Sequence, residues 1–315
     1  MRDIVRIILW LLAGLVVALT IAGLADRLAL GGRLGWAFDL MSHWPRHLAV
    51  VSLVICVLSI WRRTRIPAIA ALAATAINAA IVIGAGGFAL PQAAPPDARL
   101  IRIVSANVHG SLTALAKVAQ LGRDYDADIV AVYEAPDEMN AALFDRLFAD
   151  LPRRLLLSER ENGWPVIRRS AIATREGEEI TSTMYDGSHG VLLHASVLGV
   201  QVTTAHPPSP ADPGLKADRD RQLSDIGPGL DQTKPFIIAG DFNSTPWGRA
   251  YATVPGTRAG DPRLEGTFPA IAGPLGLPID HIRFGGGLTL TDYRVGPDIG
   301  SDHLPLLATF ALPEN

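Results

Sequence analysis

Cysteine is almost absent from this sequence of 315 residues, because Cys56 is the only one. A single thiol excludes a small fold held together by disulfides. Charged residues are also scarce: they make up 19% of the chain, whereas soluble domains carry about 25%. Hydrophobic residues reach 49%. This composition excludes a disordered or collagen-like chain and argues against a wholly soluble protein.

The shortage of charge is confined to the first third of the chain. Residues 1–96 contain eight basic and three acidic residues, a net charge of +5, whereas residues 97–315 carry a net charge of −8. The sequence therefore predicts an apolar N-terminal part followed by an acidic globular part that is long enough for a substantial core. The acidic part lacks the basic excess that is typical of nucleic-acid-binding domains.

Three apolar stretches in residues 1–90 predict membrane-spanning helices, at about 4–24, 45–61 and 66–90. A helix crosses the hydrocarbon core with about 20 residues, so the second stretch is at the lower limit of length. A cleaved signal peptide over the first 25 residues and buried core helices are the alternatives. A signal peptide is disfavoured because the first stretch is longer than a signal-peptide core and two further apolar stretches follow it. Buried core helices are disfavoured because the 66–90 stretch carries no charge, which is unusual in a soluble fold.

Basic residues predict the orientation of these spans. Arg62, Arg63 and Arg65 occupy the short loop after the second span and indicate that it stays in the cytoplasm. Three spans then deliver residue 91 onward to the opposite side, although arginines in the first loop weaken the asymmetry. The absence of cysteine from the globular part fits an oxidising compartment.

The globular part follows a short Pro/Ala-rich linker at 91–98 and covers residues 99–315. Its β-like runs alternate with helical patterns, and a hairpin is predicted at Leu198-Gly199. Hairpins mixed with strand–helix units predict an α/β or α+β layered fold rather than a purely parallel sheet.

Polar side chains gather where the predicted strands begin and end, which is where sites on such sheets form. Each has an ordinary alternative as a turn, a cap or a surface residue. Six such positions together indicate a site instead: Asn107, Glu134, His206, Asp241 with Asn243, Asp280 with His281, and Ser301-Asp302-His303.

In this order the residues resemble the endonuclease/exonuclease/phosphatase superfamily of metal-dependent phosphoesterases. The matching segments span essentially all of 99–311, and Gly240-Asp241-Phe242-Asn243 followed some 60 residues later by Ser301-Asp302-His303 is a specific combination. The run that continues to Trp247 is similar to a membrane-anchored bacterial branch. The resemblance implies a four-layer α/β (α+β) sandwich of two facing mixed β-sheets flanked by helices.

The resemblance also implies a divalent metal, Mg²⁺ or Mn²⁺. Mg²⁺ prefers oxygen ligands, with one or two carboxylates and several waters. Glu134 is implied as the principal ligand, with Asn107 orienting the shell and Asp302 supplying a further carboxylate.

Five further residues are implied in catalysis of phosphate ester hydrolysis, which requires an oriented water and neutralised phosphoryl oxygens. Asp280 is expected to fix the ring of His303, which contacts the phosphate or activates water. Asp241 is expected to position or deprotonate the water, and which of Asp241 and His303 is the base stays open. Asn243 is expected to hold a phosphate oxygen, and His206 to donate to the phosphate or assist the leaving group.

One position departs from the family pattern of the apurinic endonucleases. They carry an acid two residues after the motif asparagine, where this chain has His109. The departure weakens an abasic-site repair function and favours a single-metal site.

The sequence thus predicts a bacterial inner-membrane phosphodiesterase with its catalytic domain on the extracytoplasmic side. A phospholipid head group or similar ester is the favoured substrate, and no obligate protein partner is inferred. An anchored nuclease acting on extracytoplasmic nucleic acid and an inactive binding domain of the same fold are alternatives. A transporter or assembly protein with an incidental soluble domain is a further one, although only Asn78 is notably polar within a span.

Overall fold

The computed structural model describes residues 2–85, 87–160, 167–177, 180–184 and 191–313. The chain divides into two compact units. The first contains residues 1–86 with the short segments 212–214 and 246–252, and the second contains 87–211, 215–245 and 253–315.

The first unit is helical. Its helices are α1 (Arg2–Ala25), α2 (Gly32–Ser42), α3 (Pro45–Trp61) and α4 (Arg65–Gly84). Pro45 stands in the first turn of α3, where its missing N–H costs no hydrogen bond. Residues 3–28 and α4 are long and apolar enough to cross a membrane, while α2 and α3 form a pair bent by 68° that counts as a third candidate span.

Polar side chains connect these helices in their buried interior. Asn78 of α4 donates to the Thr20 hydroxyl of α1 at 2.8 Å, and Ser52 of α3 lies 2.9 Å from the Thr75 hydroxyl of α4. Bonds of this kind hold helices together where apolar burial gives no preference between helix and lipid.

The segment 246–252 also belongs to this helical unit. The Trp247 indole donates to the His43 carbonyl at 3.1 Å, and the Arg249 N–H donates to the carboxylate of Asp26 at 3.3 Å. Trp247 is buried. The sequence pattern assigned these residues to the globular part, because they carry no apolar run that would connect them with the helices.

The second unit contains two mixed β-sheets. Sheet A has seven strands in the order β1-β10-β11-β9-β8-β7-β6, and sheet B has six in the order β12-β13-β2-β3-β5-β4. The strands are β1 (Phe88–Ala89), β2 (Leu100–Asn107), β3 (Ile129–Tyr133), β4 (Arg153–Arg160), β5 (Ile167–Thr174), β6 (Thr181–Met184), β7 (Val191–Val197), β8 (Val200–Ala205), β9 (Phe236–Asp241), β10 (Thr257–Ala259), β11 (Asp280–Gly285), β12 (Thr289–Val295) and β13 (Leu306–Ala311).

Helices α5 (Leu112–Asp124), α6 (Ala141–Leu147) and α7 (Pro213–Asp225) accompany the sheets. Ser111 caps the N-terminus of α5, because its hydroxyl accepts a hydrogen bond from the Ala114 N–H at 3.1 Å. Asn140 caps α6 in the same way through the Leu143 N–H.

Two apolar clusters stabilise this unit. The first lies between the sheets and includes Ile103 and Ile129 of sheet B with Val202 and Ile237 of sheet A. The second packs α5 and α6 against the outer face of sheet B. Strand β3 is buried on both faces, which explains its uninterrupted apolar sequence. The predicted sandwich of two mixed sheets flanked by helices is confirmed.

Some boundaries differ from the sequence prediction. Helix α4 ends at Gly84, and Phe88–Ala89 pairs in parallel with β10 rather than continuing a span to residue 90. Strand pairing explains the difference, because apolar composition alone does not separate a helix end from a buried edge strand.

Candidate active site and metal centre

Sheet B supplies the first two site residues. Strands β2 and β3 run parallel and bring Asn107 into register with Tyr133, after which Glu134 begins the next loop. Glu134 has a φ of 49°, in the left-handed region that non-glycine residues rarely occupy. Such backbone strain concentrates at functional sites.

Asn107 connects the two sheets. Its Nδ2 group donates to Glu134 Oε1 and to Asp241 Oδ2, each at 3.1 Å, and its Oδ1 accepts from the His109 N–H at 3.0 Å. An amide nitrogen carries two hydrogens, so both carboxylates are satisfied at once. The buried Asn107 side chain is therefore fixed between one acid from each sheet.

The turn after β9 presents Asp241 and Asn243. The Asn243 N–H donates to Asp241 Oδ1 at 2.9 Å, while its side-chain amide donates to the Pro207 carbonyl at 3.0 Å. The preceding Gly240 is required, because a Cβ there would lie 1.9 Å from the Ala205 carbonyl oxygen of β8. Burial raises the pKa of Asp241.

Asp280 and His303 form a buried pair in the site. Asp280 opens β11 opposite Asp241, and its Oδ2 lies 2.9 Å from His303 Nδ1. The other ring nitrogen of His303 lies 3.7 Å from Asp241 Oδ2. Burial alone would lower the pKa of His303, but the charges of Asp280 and Asp241 outweigh it and raise that pKa to about 10.

His206 follows β8 and is almost completely buried beside the ring of Tyr133. Its Nε2 lies 3.3 Å from Glu134 Oε1 and 3.8 Å from Asp241 Oδ2, and it makes no hydrogen bond within the described residues. A buried ring nitrogen without a hydrogen bond, facing two carboxylates, is an arrangement that a cation would complete.

The donor set therefore fits a divalent metal. Ligand atoms of Glu134, His206 and Asp241 lie within 4.8 Å of one another, and so do those of Asp241, Asp280 and His303. Carboxylate oxygens dominate both groups, as hard cations prefer. The sequence assigned Asp241 and His206 to catalysis alone, and the geometry brings them next to Glu134 as well.

Asp302 lies at the rim of the site. Its carboxylate is 36% exposed and stands 3.5 Å from the Nδ1 of His109, which lies 3.4 Å from Glu134 Oε2. The neighbouring Ser301 hydroxyl donates to the Asn107 carbonyl at 2.8 Å and holds this loop against β2. His109 thus occupies the space between two predicted ligands.

All eight predicted site residues lie together at one end of the two sheets. Sequence reasoning missed Arg219 of α7, which is fully buried and donates to the Asn243 carbonyl at 3.1 Å. It also missed Tyr133, whose hydroxyl donates to the Ala239 carbonyl at 3.1 Å beneath the site. An arginine in a polar helix and a tyrosine ending a strand carry no sequence signal for these contacts.

Comparisons with known proteins agree with this geometry. The family model described as "Endonuclease/Exonuclease/phosphatase family" matches residues 104–303. No curated protein matches the chain.

Similar solved structures include an endonuclease/exonuclease/phosphatase from Beutenbergia cavernae DSM 12333, with 18% identity, a TM-score of 0.57, and coverage of 68% of this chain and 72% of that one. An AP endonuclease from Archaeoglobus fulgidus has 18% identity and a TM-score of 0.52 over 67% of this chain and 99% of its own. Truncated Caenorhabditis elegans TDP2 has 17% identity and a TM-score of 0.51 over 67% and 98%.

At these identities the structures share the fold, whereas the family model covers well over half of the chain. The chain therefore belongs to the endonuclease/exonuclease/phosphatase family and has the fold of its hydrolytic phosphoesterases.

Proposed function

We propose that this protein is a membrane-anchored, divalent-metal-dependent phosphodiesterase that hydrolyses a phospholipid head group or a similar ester outside the cytoplasm. The observation that carries the proposal is the convergence of Asn107, Glu134, His206, Asp241 and His303 around one small volume. This set provides metal ligands, a water-orienting carboxylate and a phosphate-binding cation.

In this proposal, Mg²⁺ or Mn²⁺ is held by Glu134, Asn107 and Asp302. His206 and Asp241 lie close enough to Glu134 to coordinate the same cation. When bound, such a cation neutralises phosphoryl oxygens and lowers the charge that repels an attacking water. The Asn107 amide fixes the separation and the orientation of the Glu134 and Asp241 carboxylates before a cation binds. Removing this amide would take one hydrogen-bond donor from each of these two carboxylates.

Asp241 is positioned to orient the attacking water. Its Oδ1 is held by the Asn243 N–H, while its Oδ2 faces the centre of the site. The raised pKa of Asp241 brings this group nearer to the working range of a general base. The Asn243 side-chain amide donates one N–H to the Pro207 carbonyl. Its second N–H and its oxygen are then presented beside Asp241.

His303 acts as a cation rather than as a base in this proposal. Because Asp280 holds the Nδ1 proton and raises the pKa of His303 to about 10, both ring nitrogens are protonated at neutral pH. The Nε2 hydrogen then binds a phosphate oxygen and stabilises the charge that develops there. His206, buried and turned toward Glu134, is left to assist the leaving group.

Charge favours a lipid-type substrate over nucleic acid. Residues 97–315 carry a net charge of −8. Two arginines that could form a basic patch are used internally: Arg154 pairs with Asp145 at 2.8 Å, and Arg169 donates to the Pro136 and Met139 carbonyls. The side chain of Arg168 lies outside the described residues.

The apolar helices support confinement of the enzyme to a membrane. Residues 3–28 and α4 have the required length and hydropathy, and the arginines between α3 and α4 favour a cytoplasmic loop there. A reporter fused after Leu90 that is active only outside the cytoplasm supports this orientation, and one that is active only inside contradicts it.

The test is metal-dependent turnover by the full chain in detergent on two substrates side by side. One is a phosphatidyl-lipid or sphingomyelin dispersion and the other is single-stranded DNA, each with and without Mg²⁺. Glu134→Ala serves as the inactive variant. Glu138→Ala is the matched control, since it makes the same change at an exposed position four residues later.

We expect head-group release by the wild type and by Glu138→Ala, and none by Glu134→Ala. DNA cleavage with intact lipid would replace the lipid substrate by nucleic acid and leave the phosphodiesterase chemistry standing. Cleavage of neither substrate, nor of bis-p-nitrophenyl phosphate, would contradict an active enzyme and favour a binding domain.

A further inference from the structure

His281 is a fully buried histidine next to the site that the proposed chemistry does not use. It stands one residue after Asp280 on β11, and successive side chains of a strand point to opposite faces. Asp280 turns toward His303, whereas His281 turns toward the loop that follows β9 and packs against the ring of Phe242, with 5.1 Å between ring centroids.

Both ring nitrogens of His281 are occupied. Nε2 lies 2.8 Å from the Ser244 carbonyl oxygen, and Nδ1 lies 3.2 Å from the Nε of Arg258. A guanidinium has no acceptor, so Nδ1 must accept and cannot carry a hydrogen. The hydrogen is then on Nε2 and is donated to Ser244. The ring is thereby fixed as one neutral tautomer.

Arg258 is itself almost fully buried and is held by several acceptors. It donates to the Ala259 and Gly260 carbonyls at 2.9 and 2.6 Å, to Glu265 Oε2 at 3.0 Å, and to His281. The Tyr293 hydroxyl donates to the same Glu265 oxygen at 2.8 Å. A buried charge fixed in this way cannot turn from His281 without losing several bonds.

These contacts form a continuous chain from Glu265 through Arg258 and His281 to the Ser244 carbonyl. Ser244 ends the turn in which Asp241 and Asn243 are presented to the site, and it is completely buried. Burial and the Arg258 charge hold the pKa of His281 well below its usual value, which agrees with the neutral ring.

We propose that His281 and Arg258 are positioning residues for the Asp241–Ser244 turn. His281 fixes the turn through its hydrogen bond to the Ser244 carbonyl, and Arg258 fixes the ring of His281. The inference rests on the proposed function in that the turn is taken to orient the attacking water. Loss of the donation from Nε2 leaves a buried carbonyl without a partner and frees the turn to shift, although neither residue touches the substrate.

The experiment compares His281→Leu, His281→Gln and Arg258→Met in the full chain. Gln places an amide N–H near the position of Nε2 and keeps the donation to Ser244, while Leu removes it. Phe144→Leu on α6 is the control for general destabilisation, because Phe144 is buried in the outer cluster against sheet B. The readouts are kcat and KM for bis-p-nitrophenyl phosphate, and deuterium uptake of the segment 236–245.

For His281→Leu we expect kcat to fall about 50-fold with KM changed less than about threefold, and uptake in 236–245 to rise. These magnitudes correspond to roughly 2 kcal/mol, as for an unsatisfied buried carbonyl. His281→Gln should stay within about fivefold of wild-type kcat with normal uptake. Arg258→Met combined with His281→Leu should be less than additive, because both act through one contact.

The proposal is overturned if His281→Leu keeps kcat and deuterium uptake near the wild-type values, or if His281→Gln loses as much kcat as His281→Leu. It is also overturned if Phe144→Leu raises uptake in 236–245 to the same extent. If the wild-type protein hydrolyses no phosphodiester, the proposed function fails and uptake alone decides. Deuterium uptake in 236–245 that rises in His281→Leu but not in His281→Gln then still supports the positioning role. Equal uptake in the two variants rejects it.

Discussion

Replacing Asp280 by Asn tests the roles assigned to the His303 pair. Asp280 is buried, and its Oδ2 lies 2.9 Å from His303 Nδ1. Asn has nearly the same shape but no charge, so the substitution removes the main cause of the raised pKa of His303. The hydrogen-bond geometry survives if the amide oxygen faces the ring.

The size of the effect follows from the pKa of His303. At about 10 the ring is essentially fully protonated at pH 7.5, whereas at the usual 6.5 only about one tenth is. Loss of charge alone therefore lowers activity at pH 7.5 by about tenfold, and any misorientation of the ring adds to that. The alkaline limb of the pH–rate profile should move toward acid by up to about 3.5 pH units.

The same pair links stability to pH in the metal-free protein. Because the folded pKa of His303 is raised above the unfolded value, its contribution is fully present below about pH 6.5 and is lost as pH rises through about 10. At roughly 1.4 kcal/mol per pKa unit the contribution is at most about 5 kcal/mol. In Asp280→Asn most of this dependence should vanish.

Two assays check these expectations in the full chain. One is the pH profile of Mg²⁺-dependent hydrolysis of bis-p-nitrophenyl phosphate between pH 5 and 10, and the other is thermal unfolding in EDTA at about pH 6 and 9. Asp145→Asn, which neutralises an exposed partner of Arg154, should leave both profiles unchanged. An alkaline limb at the same pH in Asp280→Asn and wild type would refute the assignment of His303 as the phosphate-binding cation.

Three further substitutions have defined outcomes. Asn107→Ala should weaken Mn²⁺ binding, measured by electron paramagnetic resonance, by about 10- to 100-fold because the amide orients the ligand carboxylates; unchanged binding would exclude that role. Tyr133→Phe removes the bond to the Ala239 carbonyl and should lower the free energy of unfolding by about 1–2 kcal/mol, measured in urea. Asn78→Leu breaks the bond to Thr20 and should cost about 1 kcal/mol in detergent, and a stabilised variant would contradict its role between helices.

The sandwich was predictable because its strands carry strong local signals. Strand β3 is apolar throughout and is buried on both faces, and the hairpin at Leu198-Gly199 follows from its turn residues. Edge strands were harder: β4 and β6 have mixed sequences and exist through pairing with β5 and β7. The sequence pattern places Phe88–Ala89 within a span, because its strand partner is 170 residues away in the sequence.

The site was predictable in composition but not in its connections. A motif asparagine such as Asn107 signals that a polar group is present, yet its bridge between Glu134 and Asp241 depends on how two sheets meet. Arg258 and His281 illustrate the same limit, since 23 residues separate them in the chain and no local pattern predicts their bond. Contacts between strands that are distant in sequence depend on topology, which composition does not encode.

The proposed catalytic groups are also the polar part of the seam between the two sheets. Asn107 belongs to sheet B and Asp241 to sheet A, and their hydrogen bond continues a seam that is otherwise made of aliphatic side chains. The carboxylates of Glu134, Asp241 and Asp280 lie close together there, and the Asn107 amide and the His303 ring offset part of their repulsion. A bound cation would remove that repulsion, so metal affinity and the stability of this end of the sandwich are thermodynamically linked. Substitutions that weaken the seam without touching a ligand should therefore lower metal affinity as well as stability.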